Sequence, residues 1–495
     1  MSDNVKYFSE MERYEIININ DGEKYNYLSS NDIVIDEQGN FKFLILNDTR
    51  SRFSLFGGNE FIEVPWEYIK KIGSRTIIID AEESILKKTR VWWRYEMKIL
   101  VQKFGGTSVS THERRLLVVD KIVKAVEEGY TPVIVVSAMG RKGEPYATDT
   151  LLSLISEKFK ETNPLAADLL MSCGETISTV VMSDELSKAG IKAIPLTGGQ
   201  AGIITNDNYN NASVLRVDNT NLMSILKLKE IPVVAGFQGQ SESGFITTLG
   251  RGGSDVTASL LGVALNADEI HIYTDVDGIM TADPRIVPEA SLIKEMSYNE
   301  VFQFADQGAK VIHPRAVDIA MRGNIPLVIK NTLSNCEGTV INSVGAMNIE
   351  NIMTGITHMG NRVQIRVSLL DNIDNKNSDN LLEILAENMI SIDLINVFPK
   401  ESIFTIDSKD MNKFEQIMQS LGIKYSFISS CSKIALIGSR IRGVPGVMAR
   451  ILKALTKANI EVLQTADSHT TIWCLVESNN TQSAIAALHK EFNLG

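Results

Sequence analysis

The sequence lacks several patterns that would define its chemistry directly. Its 495 residues contain no GxxxxGKS or GxxxxGKT stretch, which disfavours a P-loop nucleotidase. The four cysteines are scattered and form no CxxC pair, which argues against a disulfide framework and a zinc site and is typical of a reducing cytoplasm. The formal net charge is −11 and no long basic run is present, so broad nucleic-acid binding is not expected.

Long apolar stretches are also missing. The N-terminal MSDNVKYFSEMERYE is polar and lacks the apolar core of a signal peptide, and no uninterrupted apolar run reaches membrane-spanning length. We therefore expect a cytoplasmic protein with no membrane partner. The chain is too long for one ordinary core, and about three or four domains are expected from its length.

The first part of the chain, residues 1–81, reads as a small all-β domain. Alternating segments such as DIVIDEQGNFKFLIL, with a turn at its QGN, predict about five or six short strands, which favours a small barrel. A charged linker follows at residues 82–96. Its Trp92 and Trp93 either dock the linker on a neighbouring domain or belong to an amphipathic connector.

From Met97 to about residue 345, strand patterns alternate with helical ones. Apolar strands separated by helices predict an α/β domain with a mostly parallel sheet sandwiched by helices, and ligands at the carboxyl ends of the strands. One helix is predicted from about Thr111 to Gly129. Its predicted apolar face comprises Leu116, Val119, Val123 and Val126.

The tail contains two small α+β units of similar layout, at residues 352–428 and 433–495. Each reads as a β–α–β–β–α–β-like module, and the segments LLEILAENMISIDLINV and GVMARILKALTKANIEVLQTA share a helix followed by a hydrophobic strand. Two such modules behind a larger α/β domain suggest regulation.

The segment VQKFGGTSVS, Val101–Ser110, joins a strand to a helix and carries the clearest chemical signal. Gly105 and Gly106 let the backbone come close to a ligand, and the helix N-terminus offers N–H groups. Lys103 adds a mobile positive charge. Together these residues predict a cradle for a phosphorylated ligand.

A second glycine-rich segment, GRGGSDVTA, again joins a strand-like stretch to a helix. Arg251 offers a planar fork suited to a carboxylate. Asp255 either orients Lys103 or a metal-bound phosphate, or is an ordinary residue at the start of a helix. Glu175 in SCGETIS could bind an amine, although an isolated glutamate is usually solvated.

Further candidates follow a strand in YTDVDGIMTADPR and lie in GAKVIHPRA. Asp275 could meet a nucleotide or its metal, while Arg285 and Lys310 suit phosphate. Asp277 and Asp283 also fit ordinary turn chemistry, and His313 before a proline reads as structural.

In this order, the motifs resemble those of the aspartokinases within the amino acid kinase family. The matching motifs are KFGGTSV (103–109), VSAMG (136–140), ATD (147–149), GE (174–175), GRGGSD (250–255), TDVDGIMTADPR (274–285) and GAKVIHPRA (308–316). The resemblance covers Met97 to Gly495, because the tail is similar to two ACT domains. CGETIS and ADSHTTIW are closest to the enzymes of spore-forming Gram-positive bacteria. Residues 1–96 resemble small PRC-barrel proteins of the sporulation-associated type.

The resemblance implies transfer of phosphate from ATP to L-aspartate, giving ADP and 4-phospho-L-aspartate at the start of lysine, diaminopimelate, threonine and methionine biosynthesis. It implies catalytic roles for Lys103, Arg251 and Asp255. On the ATP side it implies Lys103, Phe104, Gly105, Gly106, Thr274, Asp275, Met280, Arg285, Lys310 and Val311. On the substrate side it implies Ser137, Thr148, Glu175 and Arg251. Mg²⁺ would bridge the phosphates mainly through substrate oxygens and water, with no dedicated protein metal site.

The resemblance also implies feedback by an amino acid: lysine, diaminopimelate or threonine. The expected effector contacts are Asn396, Asn459 and Ile460, and we expect a homodimer or higher homo-oligomer. The second module has the Pro445–Gly446 pair that the family often carries, whereas the first reads LLDNIDNKNSDN there. Two alternatives stay open: another amino acid kinase acting on glutamate, acetylglutamate or a nucleotide, and a non-catalytic amino-acid sensor.

Overall fold

The structure is a computed structural model that describes residues 8–36, 40–47, 61–82, 86–89, 97–308, 311–346, 352–368, 380–438, 441 and 444–495. It divides into two compact units, Met1–Ile270 and His271–Gly495. Trp92 and Trp93 lie outside the described residues.

The N-terminal segment forms two four-stranded sheets. Its elements are α1 (Phe8–Met11), β1 (Glu15–Asn18), β2 (Lys24–Tyr27), β3 (Asp32–Ile35), β4 (Phe41–Asn47), β5 (Phe61–Pro65), β6 (Ile69–Ile72), β7 (Thr76–Ile79) and β8 (Lys87–Thr89). The strand orders are β2-β1-β7-β6 and β3-β4-β5-β8. Ile16 and Ile77 from the first sheet share one hydrophobic core with Leu44 and Val64 from the second.

The predicted small barrel is not confirmed, because the described strands form two open sheets around a shared core. The strand β1 pairs in parallel with β7, placing Glu15 opposite Thr76. Strand alternation indicates which face of a strand is buried, but it does not reveal a pairing between segments so far apart in sequence. The all-β character of the segment was predicted correctly.

The rest of the first unit is an α/β domain. Its elements are β9 (Lys98–Phe104), α2 (Gly106–Val109), α3 (His112–Glu127), β10 (Tyr130–Val136), α4 (Thr148–Leu152), α5 (Glu157–Thr162), α6 (Pro164–Lys188), β11 (Ala193–Leu196), β12 (Ile203–Thr205), β13 (Val214–Val217), α7 (Thr220–Lys227), β14 (Ile231–Ala235), β15 (Gln238–Ser241), β16 (Ile246–Thr248) and α8 (Gly253–Ala264). A further strand, β17 (Glu269–Thr274), crosses the boundary between the two units.

Four of these strands lie side by side in the order β11-β14-β10-β9 and are all parallel. Every residue of β14 is buried, as expected for a strand covered on both faces. The smaller sheet has the order β13-β12-β15-β16. Because the parallel strands all point the same way, the segments that follow β9, β10 and β14 emerge at one edge of the sheet.

The buried face of α3 differs from the prediction. Its buried residues are Val118, Val119, Ile122 and Ala125. Leu116 and Val126 are exposed instead. The helix carries apolar residues on more than one side, so several faces match a helical period, and packing against β10 decides which is buried.

Among the described residues, one helix is long and apolar enough to cross a membrane by length and composition, namely α6. It packs against β11, β14 and β16. Three acidic residues within it, Asp168, Glu175 and Glu185, are buried. A buried helix in the core of a protein can be equally long and apolar, and the packing of α6 is that of a core helix.

The second unit begins with the end of the α/β pattern and continues into the tail. Its elements are β18 (Glu295–Ser297), α9 (Tyr298–Asp306), α10 (Pro314–Gly323), β19 (Leu327–Asn331), β20 (Thr339–Asn342), β21 (Gly355–Ser368), α11 (Leu381–Glu387), β22 (Ile392–Val397), β23 (Glu401–Asp407), α12 (Met411–Leu421), β24 (Ser426–Ile437), α13 (Val447–Lys457), β25 (Gln464–Asp467), β26 (Thr471–Glu477) and α14 (Thr481–Glu491).

The two tail modules share one six-stranded sheet of order β22-β23-β21-β24-β26-β25. Its central strands β21 and β24 are 14 and 12 residues long and pair antiparallel, so each serves both modules. The first module has a hydrophobic cluster of residues between 363 and 425. The cluster of the second module combines Met353 and Ile356 with residues from Ile434 onward. The repeated helix–strand layout is present as α11–β22 and α13–β25, and the module boundaries stay predictions.

Candidate functional site

A pocket of about 250 Å³ lies at the carboxyl edge of the parallel sheet in the first unit. Its lining comprises Lys103, Ser137, Thr148, Glu175, Phe237, Gly250, Arg251, Gly252, Gly253, Ser254 and Asp255. All the residues predicted for catalysis and for the substrate side are therefore brought together in one cavity, although they come from five separate stretches of sequence.

The glycine loop after β9 is shaped by its neighbour after β10. A Cβ atom on Gly106 would lie 2.5 Å from the carbonyl oxygen of Ala138, so a larger side chain has no room there. The Gly140 N–H donates to the Gly106 carbonyl at 3.0 Å, and the Ser137 N–H donates to the Phe104 carbonyl at 3.1 Å. Phe104 is buried and Gly105 caps α2, so this segment is fixed by backbone contacts on both sides.

Lys103 and Asp255 form an ion pair inside the pocket. Nζ of Lys103 lies 2.6 Å from Oδ1 of Asp255, and the two side chains are 12% and 14% exposed. Asp255 lies in the first turn of α8, whose N-cap, Gly252, has a left-handed backbone with φ of 71°. A charge pair so shielded from water interacts more strongly than a surface pair, so the lysine head group is held in one place.

Glu175 lies deep in α6, 3% exposed, so it is not the solvated glutamate that its isolation in sequence suggested. The Ala138 N–H donates to its Oε1 at 3.2 Å. Its Oε2 is buried without a hydrogen-bond partner among the described residues. Burial raises the pKa of this carboxyl to about 8. An unpartnered carboxylate oxygen in a pocket suits a cationic ligand group such as an ammonium.

Arg251 stands between two glycines in left-handed conformation, Gly250 with φ of 75° and Gly252 with φ of 71°. Its side chain is exposed on the pocket wall. The tight turn that these glycines allow carries the guanidinium to the pocket, where a planar fork suits a carboxylate.

Of the lining residues, Phe237 lies outside every motif identified in the sequence, whereas Ser254 belongs to GRGGSD. Phe237 follows β14 and has φ of 69°, a region that a phenylalanine rarely adopts. Its N–H donates to Oγ1 of Thr257 at 3.1 Å, and its carbonyl accepts from the Leu249 N–H at 2.8 Å. The position of GFQG directly after a buried strand was the available signal.

The residues predicted for the nucleotide side belong mainly to the second unit. Thr274 ends β17, its carbonyl accepts from the Thr332 N–H at 2.9 Å, and its Oγ1 donates to Asp275 at 3.3 Å. Met280 forms a backbone bridge with Leu292. Val311 is half-buried just before α10, and Lys310 lies outside the described residues.

Arg285 is 87% exposed and its guanidinium pairs with Asp283 at 2.6 Å. That hydrogen bond holds the pKa of Asp283 below its usual range. Asp277 accepts from Asn331 and from Ser334, at 2.8 and 2.7 Å, which lowers its pKa as well. Both aspartates therefore have the local structural roles that their turn-like sequence indicated.

The residues predicted to contact an effector lie in the tail modules. Oδ1 of Asn396 accepts from Nε2 of Gln464 at 2.6 Å. Asn459 has a left-handed backbone with φ of 56° just after α13. The Ile460 N–H donates to the Leu455 carbonyl at 2.9 Å, and the Ile460 side chain is buried in the second module's core. Asn459 and Ile460 thus also end the helix.

No group of three or more His, Cys, Asp or Glu side chains that could hold a metal occurs among the residues that the structure describes. The pocket instead presents one lysine, one arginine and two carboxyl groups.

Comparison with known families identifies both parts of the chain. Residues 98–331 match the amino acid kinase family and residues 426–490 match an ACT domain, so the chain is an amino acid kinase with a C-terminal ACT domain. The chain is 44% identical over 403 residues to aspartokinase 1 of Bacillus subtilis (strain 168), an alignment that covers 80% of this chain and 100% of that protein. The chain therefore belongs to the aspartokinase family, which confirms the prediction of an aspartate kinase with ACT-type regulation.

Solved structures of E. coli aspartokinase III have the same fold. The complex with aspartate and ADP gives a TM-score of 0.62 at 24% identity, covering 80% of this chain and 100% of that chain. The complex with lysine and aspartate gives 0.61 at 24% identity, covering 80% of this chain and 99% of that chain. The amino acid kinase fold with a C-terminal ACT domain, predicted from the sequence, is thereby confirmed.

Proposed function

We propose that this pocket binds L-aspartate between Glu175 and Arg251 and that Lys103 carries the phosphates of ATP. The observation that carries the proposal is the gathering of these three side chains in one cavity of about 250 Å³. Glu175 would take the ammonium group and Arg251 a carboxylate, while Ser137 and Thr148 would fix the amino-acid end. The ammonium is positive and the carboxylate is negative, so each ligand group has the opposite charge to the side chain that would bind it.

In the proposed reaction, a side-chain oxygen of aspartate attacks the γ-phosphorus of ATP while the bond from that phosphorus to the β–γ bridging oxygen breaks. ADP leaves with that oxygen, and 4-phospho-L-aspartate remains. Both reactants are anions, so the protein must align them and offset charge spread over the transferred group. Lys103 would supply positive charge there, with the N–H groups of Gly105 and Gly106 beside it. Asp255 would keep the lysine in place.

Thr274, Asp275, Met280, Arg285, Lys310 and Val311 would form the nucleotide side, together with Phe104. Mg²⁺ would be held mainly by phosphate oxygens and water. The donor set fits this arrangement, because the pocket offers single carboxyl groups and not a carboxylate cluster. When bound, the ion would neutralise phosphate charge.

The tail would act as the regulatory part. We propose an amino-acid effector, lysine, diaminopimelate or threonine, with Asn396, Asn459 and Ile460 among its contacts. The lysine complex of E. coli aspartokinase III supports lysine as the first compound to test. A single small module buries little of a ligand, so binding would bridge subunits of a homodimer or higher homo-oligomer.

The proposed domain boundaries are 97–345 for the catalytic domain and 352–428 and 433–495 for the two ACT-like domains. Residues 1–81 would be a PRC-barrel-like domain followed by the segment 82–96. The segment 82–96 was predicted as a linker, but its residues Lys87–Thr89 form β8 and pair with β5 in the second N-terminal sheet. A protein-docking role is proposed for the PRC-barrel-like domain, because no catalytic motif lies in it and its two sheets have a core of their own.

The experiment is a coupled assay of ADP release with a panel of aspartate, glutamate, acetylglutamate and nucleoside monophosphates. We expect turnover with aspartate. Preference for another acceptor would favour a different amino acid kinase, and amino-acid binding without any turnover would favour the sensor.

Arg251→Ala tests the substrate side of the proposal. It should raise the aspartate KM and change the ATP KM little. Arg216→Ala is a matched control, since Arg216 lies on β13 and forms an exposed ion pair with Glu242. An unchanged aspartate KM with weakened ATP binding would place Arg251 on the nucleotide side.

A further inference from the structure

We infer that Asp168 is a positioning residue for aspartate binding: it anchors the two backbone segments that support the Arg251 turn. The inference rests on the proposed role of Arg251. Asp168 touches no pocket surface and was not singled out by any sequence motif, yet it is the fully buried acid nearest in sequence to Glu175, with 0% exposure.

The carboxylate of Asp168 accepts hydrogen bonds from two distant parts of the chain. The Asn210 N–H lies 3.0 Å from each of its oxygens. At the end of β16, the Thr248 N–H donates at 2.7 Å and the Thr248 hydroxyl at 2.8 Å. One buried side chain on α6 therefore joins the 206–212 loop and β16 to the same helix.

Both anchored segments meet directly under the Arg251 turn. The Ala212 N–H donates to the Thr248 carbonyl at 2.8 Å, which closes the loop onto the strand end. A Cβ on Gly250 would lie 2.7 Å from Oδ1 of Asn211, so the turn at Asn210 and Asn211 packs tightly against Gly250. Arg251 is the next residue. Its backbone position is thus set by the surface that Asp168 holds.

The donors around Asp168 occupy both of its oxygens. Two N–H groups and one hydroxyl donate to the carboxylate, and none of these four contacts comes from a cation. An asparagine there would leave the Asn210 and Thr248 N–H groups to share one acceptor oxygen, and the Thr248 hydroxyl would have to accept from the new NH₂ group instead of donating. Burial raises the pKa of Asp168, and the bonds from Asn210 and Thr248 oppose that rise.

The same helix carries Glu175 seven residues further on. Seven residues make nearly two turns, so both acids lie on one side of α6, roughly 10 Å apart along its axis. A rigid helix therefore connects the proposed ammonium partner, Glu175, with the anchor of the proposed carboxylate partner, Arg251. Loosening Asp168 should disturb the spacing of those two groups without touching the phosphate side.

The test compares Asp168→Asn and Thr248→Val with a matched control, Thr247→Val, in the full-length enzyme. Thr247 and Thr248 are neighbours on β16 and both are fully buried, but Oγ1 of Thr247 bonds Oγ1 of Thr205, at 2.6 Å. Thr248→Val removes one donor to Asp168 and keeps the carboxylate, so it tests the inference even if Asp168→Asn fails to fold.

We expect Asp168→Asn to raise the aspartate KM roughly tenfold, and Thr248→Val to raise it less, with kcat and the ATP KM within about a factor of two. Thr247→Val should lower Tm by a similar amount to Thr248→Val and leave the aspartate KM unchanged. The inference is overturned if Thr248→Val leaves the aspartate KM unchanged, or if Thr247→Val raises it equally.

Combination with Arg251→Lys separates this inference from the proposed function. If Asp168 acts through Arg251, Thr248→Val should add little to the aspartate KM of Arg251→Lys. Fully additive effects would overturn the positioning role. If Arg251→Lys itself leaves the aspartate KM unchanged, the proposed carboxylate-binding role of Arg251 fails; if only the Asp168 and Thr248 variants are silent, the positioning role alone fails.

Discussion

Oγ1 of Thr281 lies 3.0 Å from Nε2 of His489, so the loop that carries the predicted nucleotide residues is hydrogen-bonded to the last helix of the chain. The Ile356 N–H donates to the Thr281 carbonyl at 2.7 Å, which adds the first strand of the tail sheet. Ala282 and Val287 of the same loop belong to the hydrophobic core of the second tail module. The loop of predicted nucleotide residues and this module therefore form one packed structure.

Replacing Thr281 with valine should raise the ATP KM more than the aspartate KM. The change removes the bond to His489, and it also removes the acceptor of the Ser291 N–H, which donates to Oγ1 of Thr281 at 3.0 Å. We expect a loss of about 1–2 kcal/mol in the free energy of unfolding, measured by denaturant titration, and steady-state kinetics for both substrates.

Thr405→Val is the control for that experiment. Thr405 is fully buried in the first tail module and donates to the Asp393 carbonyl at 3.0 Å, so it loses a comparable bond away from the loop. An equal rise of the ATP KM in both variants would argue against a specific link through Thr281.

Lys103→Ala should reduce kcat by about two orders of magnitude or more, because it removes positive charge where the transferred phosphoryl group develops its charge. The variant also leaves Asp255 without its partner at 2.6 Å, so some loss of Tm is expected. Lys98→Ala is the control, since Lys98 lies on the same strand, β9, and is exposed. A purified Lys103→Ala enzyme with near wild-type kcat would remove Lys103 from the phosphate site.

The site could be predicted from the sequence because its parts follow local rules. Lys103, Arg251 and Asp255 stand in glycine-rich turns between strands and helices, and such turns meet at one edge of a parallel sheet. Phe237 was not predicted as a site residue, because the residue type phenylalanine does not indicate the left-handed backbone that it adopts here. For Glu175 the sequence left a choice between binding an amine and lying solvated on the surface. The close approach of α6 at Gly174, whose Cβ would lie 2.8 Å from Cβ of Ala138, explains its burial.

The parts of the fold that escaped prediction depend on contacts between distant segments. The described N-terminal strands form two sheets, in which β1 pairs in parallel with β7, a pairing that the strand pattern did not indicate, and the expected barrel is not confirmed. Similarly, β21 and β24 run through both tail modules, and Met353 joins the core of the second module although it lies at the start of the range predicted for the first, 352–428. Strand periodicity identifies buried faces, and it carries no information on which distant strands become neighbours.

The raised pKa of Glu175 predicts opposite effects of pH on stability and on substrate binding. The pKa of this carboxyl is about 8 in the folded protein, above the ordinary value of 4.5, so folding favours the protonated form. The resulting contribution to the free energy of unfolding is fully present below about pH 4.5 and is lost as the pH rises through 8. The Tm of Glu175→Gln minus the Tm of the wild type should therefore increase as the pH rises from 6 to 9. Thermal unfolding across this range measures the difference, and a constant difference would contradict the raised pKa.

Aspartate binding should show the reverse trend. An ammonium group favours the ionised carboxyl, so protons compete with substrate, and the aspartate KM should rise as pH falls from 8 to 6. Glu175→Gln should have a high aspartate KM with little pH dependence in this range. A wild-type KM that is flat across this range would show that Glu175 does not pair with the substrate amine.

Removing residues 1–96 should leave a soluble enzyme that phosphorylates aspartate, with kcat within about twofold of the full chain. The aligned aspartokinase of Bacillus subtilis is covered in full by 80% of this chain, and the amino acid kinase match begins at residue 98. The N-terminal sheets have a core of their own, and the Asn18 side chain closes that segment by donating to the Ala81 carbonyl at 2.9 Å.

A variant beginning at Met97 and one beginning at Glu82 would be compared by ADP release and thermal unfolding. Activity lost only in the shorter variant would assign a stabilising role to residues 82–96, whereas activity lost in both would show that the N-terminal sheets are part of the kinase architecture.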